Sequence, residues 1–304
     1  MSTSTPTPPS TLQTSRPPSK PPRRWLRWIQ PTLLLGPAGL WLVVLLVLPT
    51  LLILDVSFLP GLRPGAAPPA YGLGNYIQLL NQTYREVIER SLGFALVTTA
   101  ACLILGFPVS YWIALKSPKR WRVLLLIAFV LPLWTSSLLR AYAWVSILRP
   151  TGVLNSFLSL LQLPTQNWLY TEVAVGIGLS YSFLPYMVLI LYASLEKLDL
   201  RLLEASADLG ATPLQTFLKV TIPQTLPGIA AGSLLVFITS LGDFVVPELL
   251  GGASSSTMSR LIYNQFLRVR NWGLGSALSM LLIVAVSVAI ALLMKYGDRN
   301  ATKA

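Results

Sequence analysis

Six stretches of this chain are long and apolar enough to cross a lipid bilayer, and that requirement removes almost every fold open to a water-soluble protein. They run from about Leu33 to Leu54, Ser91 to Leu115, Val123 to Trp144, Val173 to Leu195, Leu226 to Pro247 and Leu274 to Met294. A hydrocarbon core offers no water to backbone N–H and C=O groups, so only helices and closed barrels span it. These runs lack the residue-by-residue alternation of barrel strands, which leaves an all-α, polytopic bundle of six transmembrane helices. Proline at positions 37, 49, 108, 132 and 185 predicts kinks, because each removes one rung of a helix ladder.

An even number of spans returns both termini to one side of the membrane. The loops at 55–90, 145–172 and 248–273 then share one face, and those at 116–122 and 196–225 share the other. The net charge of +12 divides unevenly between these faces. The N-terminal basic run, Lys116, Lys119, Arg120, Arg122, Lys197, Arg201, Lys219 and Lys295 fall on the second face, whereas Arg63, Arg85, Arg90, Arg140, Arg149, Arg260, Arg268 and Arg270 fall on or toward the first. Basic residues resist translocation, so the second face, with both termini, is expected in the cytoplasm. The charge therefore reads as membrane orientation, and nucleic acid is not an expected partner.

Residues 1–30 are rich in Pro, Ser and Thr and then basic, a composition unable to bury enough apolar area to order itself. They are expected to form a disordered cytoplasmic tail ahead of a single transmembrane domain over 31–304. Histidine is absent and Cys102 is the only cysteine, which excludes His-based catalysis, Cys-His zinc sites and intrachain disulfides. No catalytic residue and no metal site is expected. No phosphate-binding GxxxxGK[ST] loop is present either, so any ATP-driven step needs another chain.

One polar segment between the fourth and fifth spans stands apart. From Asp199 to Pro223 it reads as two short helices: Asp199 caps the first and Gly210 ends it in a left-handed turn. Thr212 caps the second, Pro213 suits its first position, and Gln215 completes a capping box. Pro223 is expected to end that helix.

The spacing Glu204-Ala205-Ser206, then Gly210, then Val220, Ile222 and Pro223 resembles the EAA loop of ABC importer permeases, with Ser206 in place of the second alanine. The segments LGDFVVPELLGG at 241–252 and SSLLRAYAWVSILRPTGVLNSFL at 136–158 are similar to the spermidine/putrescine branch of that family. The resemblance implies a type I importer permease of the bacterial inner membrane, forming half of the translocation path. It implies three kinds of partner besides membrane lipid: two cytoplasmic ABC ATPase subunits, which would carry the ATP and Mg, a second permease subunit, and an extracytoplasmic solute-binding protein. Glu204, Ala205 and Gly210 would then couple the chain to the ATPases. A different solute, such as ferric iron or an organic cation, and an ATP-independent secondary transporter stay open as alternatives.

Ionisable groups inside a membrane are costly and mark candidate paths. Asp243, near the outer end of the fifth span, is the candidate to receive an ammonium group; the alternatives are that it pairs with Arg140 or caps a helix end. On the same alternative reading Glu248 simply sits in interfacial water. Trp134, Tyr142, Trp144, Tyr181 and Tyr186 could offer aromatic faces to a cation, or serve as interfacial and packing residues.

Overall fold

Apolar periodicity becomes helix throughout the computed structural model, which describes residues 26–252 and 255–301. The proline-rich part of the expected tail lies outside the described residues, and helix α1, Leu26–Ser57, has begun by residue 26. Two units make up the chain, the first ending at Leu51 and the second beginning at Leu52. Within the first unit the described chain is the apolar helix α1.

The second unit is built on three long helices. α3 (Gln82–Tyr111) follows the short α2 (Gly74–Leu79), α7 (Glu172–Leu195) is capped by Thr171, and α10 spans Ile222–Gly242. α3 and α7 run parallel in a fixed register. The Cys102 thiol donates to Ser180 O at 3.4 Å, and two turns later the Ser110 hydroxyl reaches Val188 O at 3.0 Å. α10 returns antiparallel against α7. Gly232 faces Met187 and Ile190, and Gly228 faces Ser194, so closely that a Cβ at 228 would fall on the Ser194 side chain. Small residues at such crossings let backbones approach where lipid supplies no hydrophobic drive between helices. Cys102, Phe107, Met187, Leu191, Leu195 and Val236 fill the centre of the three-helix core. Some buried hydroxyls are satisfied by bonding back along their own helices, as Ser182 does to Gly178 O and Thr225 to Thr221 O, each at 2.8 Å.

Five helices among the described residues are long and apolar enough to cross a membrane: Leu35–Ser57, Gln82–Lys116, Glu172–Leu195, Pro213–Gly242 and Trp272–Ala291. The expected continuous third span, Val123 to Trp144, is instead broken. α4 (Lys119–Val130) tightens into a 3₁₀ turn at Leu131–Trp134, and α5 (Ser137–Leu148) leaves at 91°, continuing into α6 (Val153–Leu160). Pro132 accounts for part of this, and Arg140 for the rest: its Nη1 donates to Pro132 O at 2.7 Å and Thr135 O at 2.8 Å, replacing the partners that the broken ladder lost. Pro108 and Pro185, by contrast, sit inside uninterrupted helices.

The fifth span also differs from expectation at both ends. It stops at Gly242, where Asp243 turns the chain into the short helix α11, Val245–Leu250. At its start it is continuous with the polar elbow, because the four-residue helix α9 (Pro213–Thr216) passes through a π turn at Phe217–Thr221 directly into α10. Pro223 therefore does not end the second elbow helix. The Ile222 N–H bonds to Phe217 O, five residues back, and the widened turn accepts a ring with no N–H of its own. α12 (Met258–Asn264), a second π turn at Gln265–Val269 and α13 (Trp272–Ala301) complete the chain.

Candidate functional site

The elbow between α7 and α10 is assembled from short-range chemistry. Helix α8, Leu200–Asp208, opens on Asp199, whose carboxylate accepts the Arg201 N–H at 3.0 Å. It closes on Gly210, held at φ +78°, a conformation that suits a residue without Cβ. The Thr212 hydroxyl then accepts the Gln215 N–H at 3.3 Å while Gln215 Oε1 accepts the Thr212 N–H at 2.9 Å, the reciprocal box expected from the sequence.

Ser206, the departure from the alanine of the resembled loop, has a role the sequence did not suggest. Its hydroxyl lies 2.8 Å from Thr216 Oγ1, tying α8 to α9 across the bend. Glu204, Ala205 and Gly210 all face solvent on this elbow. Beside them Leu209 is 89% exposed and Leu214 is 66% exposed. These two leucines give the elbow an apolar surface among its charged neighbours. Sequence reasoning passed over Leu209, although its position directly before the turn glycine was available as a signal.

At the opposite end of the bundle the candidate path residues separate into groups. Asp243 acts as a helix cap: Oδ1 accepts the Val245 N–H at 2.7 Å and the Val246 N–H at 3.3 Å, opening α11. Arg140 lies within its electrostatic reach but makes its hydrogen bonds to the elbow of the broken span. Trp134, at the end of the 3₁₀ turn, is 81% exposed, and Tyr142 lies further along α5.

Trp144 and Tyr181 meet edge to face, with ring centroids 5.4 Å apart, and line a groove of about 1080 Å³ running along α3 and α7. Its floor is apolar, from Gly93, Val97, Ala101 and Leu105 on α3 to Ile177 and Leu184 on α7. Its mouth carries Glu86, Glu89 and Glu172 with Arg90, and Arg90 Nε approaches Glu172 Oε1 at 3.5 Å. Asp243, Trp134, Tyr142 and Tyr186 do not line this groove; Tyr186 instead leans on Phe183 at 6.3 Å. The carboxylates of the mouth come from two helices far apart in the chain, so only the fold brings them together.

Glu248 is engaged by two arginines. It is 18% exposed and accepts from Arg260 Nε at 2.6 Å and Arg268 Nη2 at 2.5 Å, joining α11 to α12 and the π turn after it. A carboxylate shared between two guanidinium groups is a strong tie. Arg260 extends it with a bond to Gly252 O at 2.9 Å.

With this geometry in hand, three kinds of likeness bear on the chain. Residues 106–300 match the family described as "Binding-protein-dependent transport system inner membrane component". The spermidine/putrescine transport system permease protein PotB of Escherichia coli (strain K12) is 43% identical over 253 residues, covering 82% of this chain and 91% of that protein. The inner membrane ABC transporter permease protein YdcU of the same organism is 36% identical over 246 residues, covering 77% and 78%. Among solved structures, a chain of a bacterial alginate ABC transporter in complex with alginate pentasaccharide-bound periplasmic protein superposes with a TM-score of 0.73 at 19% identity, covering 91% of this chain and 98% of that one. A chain of the MetNI methionine ABC transporter in an inward-facing conformation gives 0.56 at 15% identity, covering 73% and 99%. At these identities the two structures speak for the fold alone.

Proposed function

The chain belongs to the binding-protein-dependent transport system inner membrane components, and from that premise we propose that it is the permease subunit of an ATP-driven importer of polyamines. It forms half of the translocation path, and a second permease chain supplies the other half. ATP is hydrolysed on separate subunits, so this chain carries no cofactor. Two such ATPases engage the elbows of the two permeases from the cytoplasm. An extracytoplasmic binding protein delivers the solute.

The observation that carries this reading is the elbow: a capped, stapled pair of helices that presents Glu204, Ala205 and Leu209 to solvent and is continuous with a membrane-spanning helix. Polyamine as cargo is favoured by the identity to spermidine/putrescine permeases over most of the chain. The end that bears the elbow also bears Lys116, Lys119, Arg120, Lys197, Arg201 and Lys219, which supports a cytoplasmic position for it. Both termini then lie in the cytoplasm. When the ATPase dimer closes, the elbows move with it and the bundle passes between inward-open and outward-open arrangements. Asp243, within electrostatic reach of Arg140 at the outer end, offers its carboxylate to a passing ammonium group.

Reconstitution of the four-component system tests the coupling. Replacing Leu209 with Asp, or Glu204 with Gln, is expected to abolish binding-protein-stimulated ATPase activity and labelled spermidine uptake while the subunit still reaches the membrane. Full stimulation in both variants would remove the elbow from the coupling path.

A further inference from the structure

The segment after α12 ends in a way that ordinary helix chemistry does not favour. Its π turn closes on Arg270, which adopts φ 57°, ψ 32° with its N–H on Gln265 O, and Asn271 N bonds to the same carbonyl at 2.9 Å. Glycine or asparagine normally occupies such a left-handed cap, since a long side chain there strains the backbone. Gln162 and Tyr170 share this left-handed conformation, but Arg270 brings a charge with it. Arg270 makes no ion pair among the described residues, and the same holds for Arg63.

These two arginines belong to one surface. The Trp272 N–H donates to Leu62 O at 2.9 Å, which fastens residues 270–272 to the turn at 59–65 that carries Arg63. That turn is irregular, with Gly61 at φ 73° and Gly65 at φ 79°, and irregular backbone exposed to lipid does not persist in hydrocarbon. The surface therefore faces water. Leu267 and Val269, 62% and 53% exposed, give it an apolar margin. The only carboxylate within 248–273, Glu248, is already held by Arg260 and Arg268, and Asp55, exposed just before the turn, accepts from the Tyr71 hydroxyl at 3.2 Å.

Resting on the importer reading above, we propose that Arg63 and Arg270 form a basic rim on the extracytoplasmic end that docks an acidic surface of the solute-delivering protein. Such a rim repels a free polycation within about 8 Å at physiological salt. It rewards arrival of the same cation inside a protein whose own surface is acidic. Charge complementarity of this kind acts mainly on encounter rate and orientation, which places its signature in the concentration and salt dependence of docking.

The test uses the complete complex in lipid nanodiscs, titrated with spermidine-loaded binding protein while ATPase activity is followed. A variant combining Arg63→Gln with Arg270→Gly removes both charges yet suits the left-handed turn. It is expected to need about tenfold more binding protein for half-maximal stimulation at low ionic strength, with the gap closing as salt rises. Basal ATPase activity stays unchanged, and Arg270→Lys stays within about twofold of the unmodified complex because the charge remains. An unchanged half-maximal concentration and salt slope in the double variant would overturn the docking rim. A defect seen only in discs containing anionic lipid would overturn it as well, assigning the arginines to phosphate headgroups. If the unmodified complex is not stimulated by any binding protein, the importer reading fails and takes the rim with it.

Discussion

Ser206 shows how much a small side chain can decide when it sits at a bend. Its hydroxyl bond to Thr216 is the side-chain tie between the two arms of the elbow, and a partly exposed bond of this kind contributes about 1 kcal/mol. Ser206→Ala is expected to loosen the elbow modestly, seen as faster amide exchange over residues 200–216 with the bundle unaffected. Gly210→Ala acts differently. A Cβ at 210 would meet nothing within 4 Å, so the expected cost of about 1 kcal/mol comes from the backbone at φ +78° alone. Asp243 separates structure from transport in the same spirit. Asn can still accept the Val245 and Val246 N–H groups, so Asp243→Asn keeps the cap and removes the charge. Spermidine uptake is expected to fall several-fold while ATPase stimulation by the binding protein persists. Uptake kinetics identical to the unmodified chain would show that the carboxylate serves only as a cap.

Helices, as elements, test the packing argument. Gly232→Leu would press a branched side chain into Met187 and Ile190 at the crossing of α7 and α10, and overpacking of that sort costs about 1–3 kcal/mol. The expected result is a lower yield of assembled complex after detergent extraction, with Gly232→Ala intermediate. The same elements show what could be read from residues alone. Most spans followed from apolar length, and the elbow's caps followed from Asp199, Gly210, Thr212 and Gln215, because capping is decided within four residues. The break in the third span escaped that logic: hydropathy continues through Leu131 to Trp134, and only the reach of Arg140 back to Pro132 and Thr135 makes the bend affordable. Pro223 misled for a related reason. A proline announces a missing N–H, but the letters around it do not say whether the preceding turn is α or π. The Glu248 cluster and the acidic mouth of the groove depended on long-range folding and left no local trace.

At the scale of the whole molecule, orientation can be read with a single thiol. Cys102 is fully buried, with its Sγ on Ser180 O, so it should stay silent toward a membrane-impermeant maleimide. Leu209→Cys is expected to react only when the reagent reaches the cytoplasmic side, and Arg63→Cys only from outside. Labelling of position 209 in intact cells would invert the proposed arrangement. The absence of an interruption between Pro213 and Gly242 has a mechanical meaning of its own. Thirty residues of unbroken helix make a rod of roughly 45 Å, with its foot in the docking elbow and its head at Asp243. In the proposed coupling, a tilt imposed at the foot would be carried along this rod toward its head. The π turn at Phe217–Thr221 lets the helix run on through Pro223, so the elbow and the far end of the span belong to one continuous element.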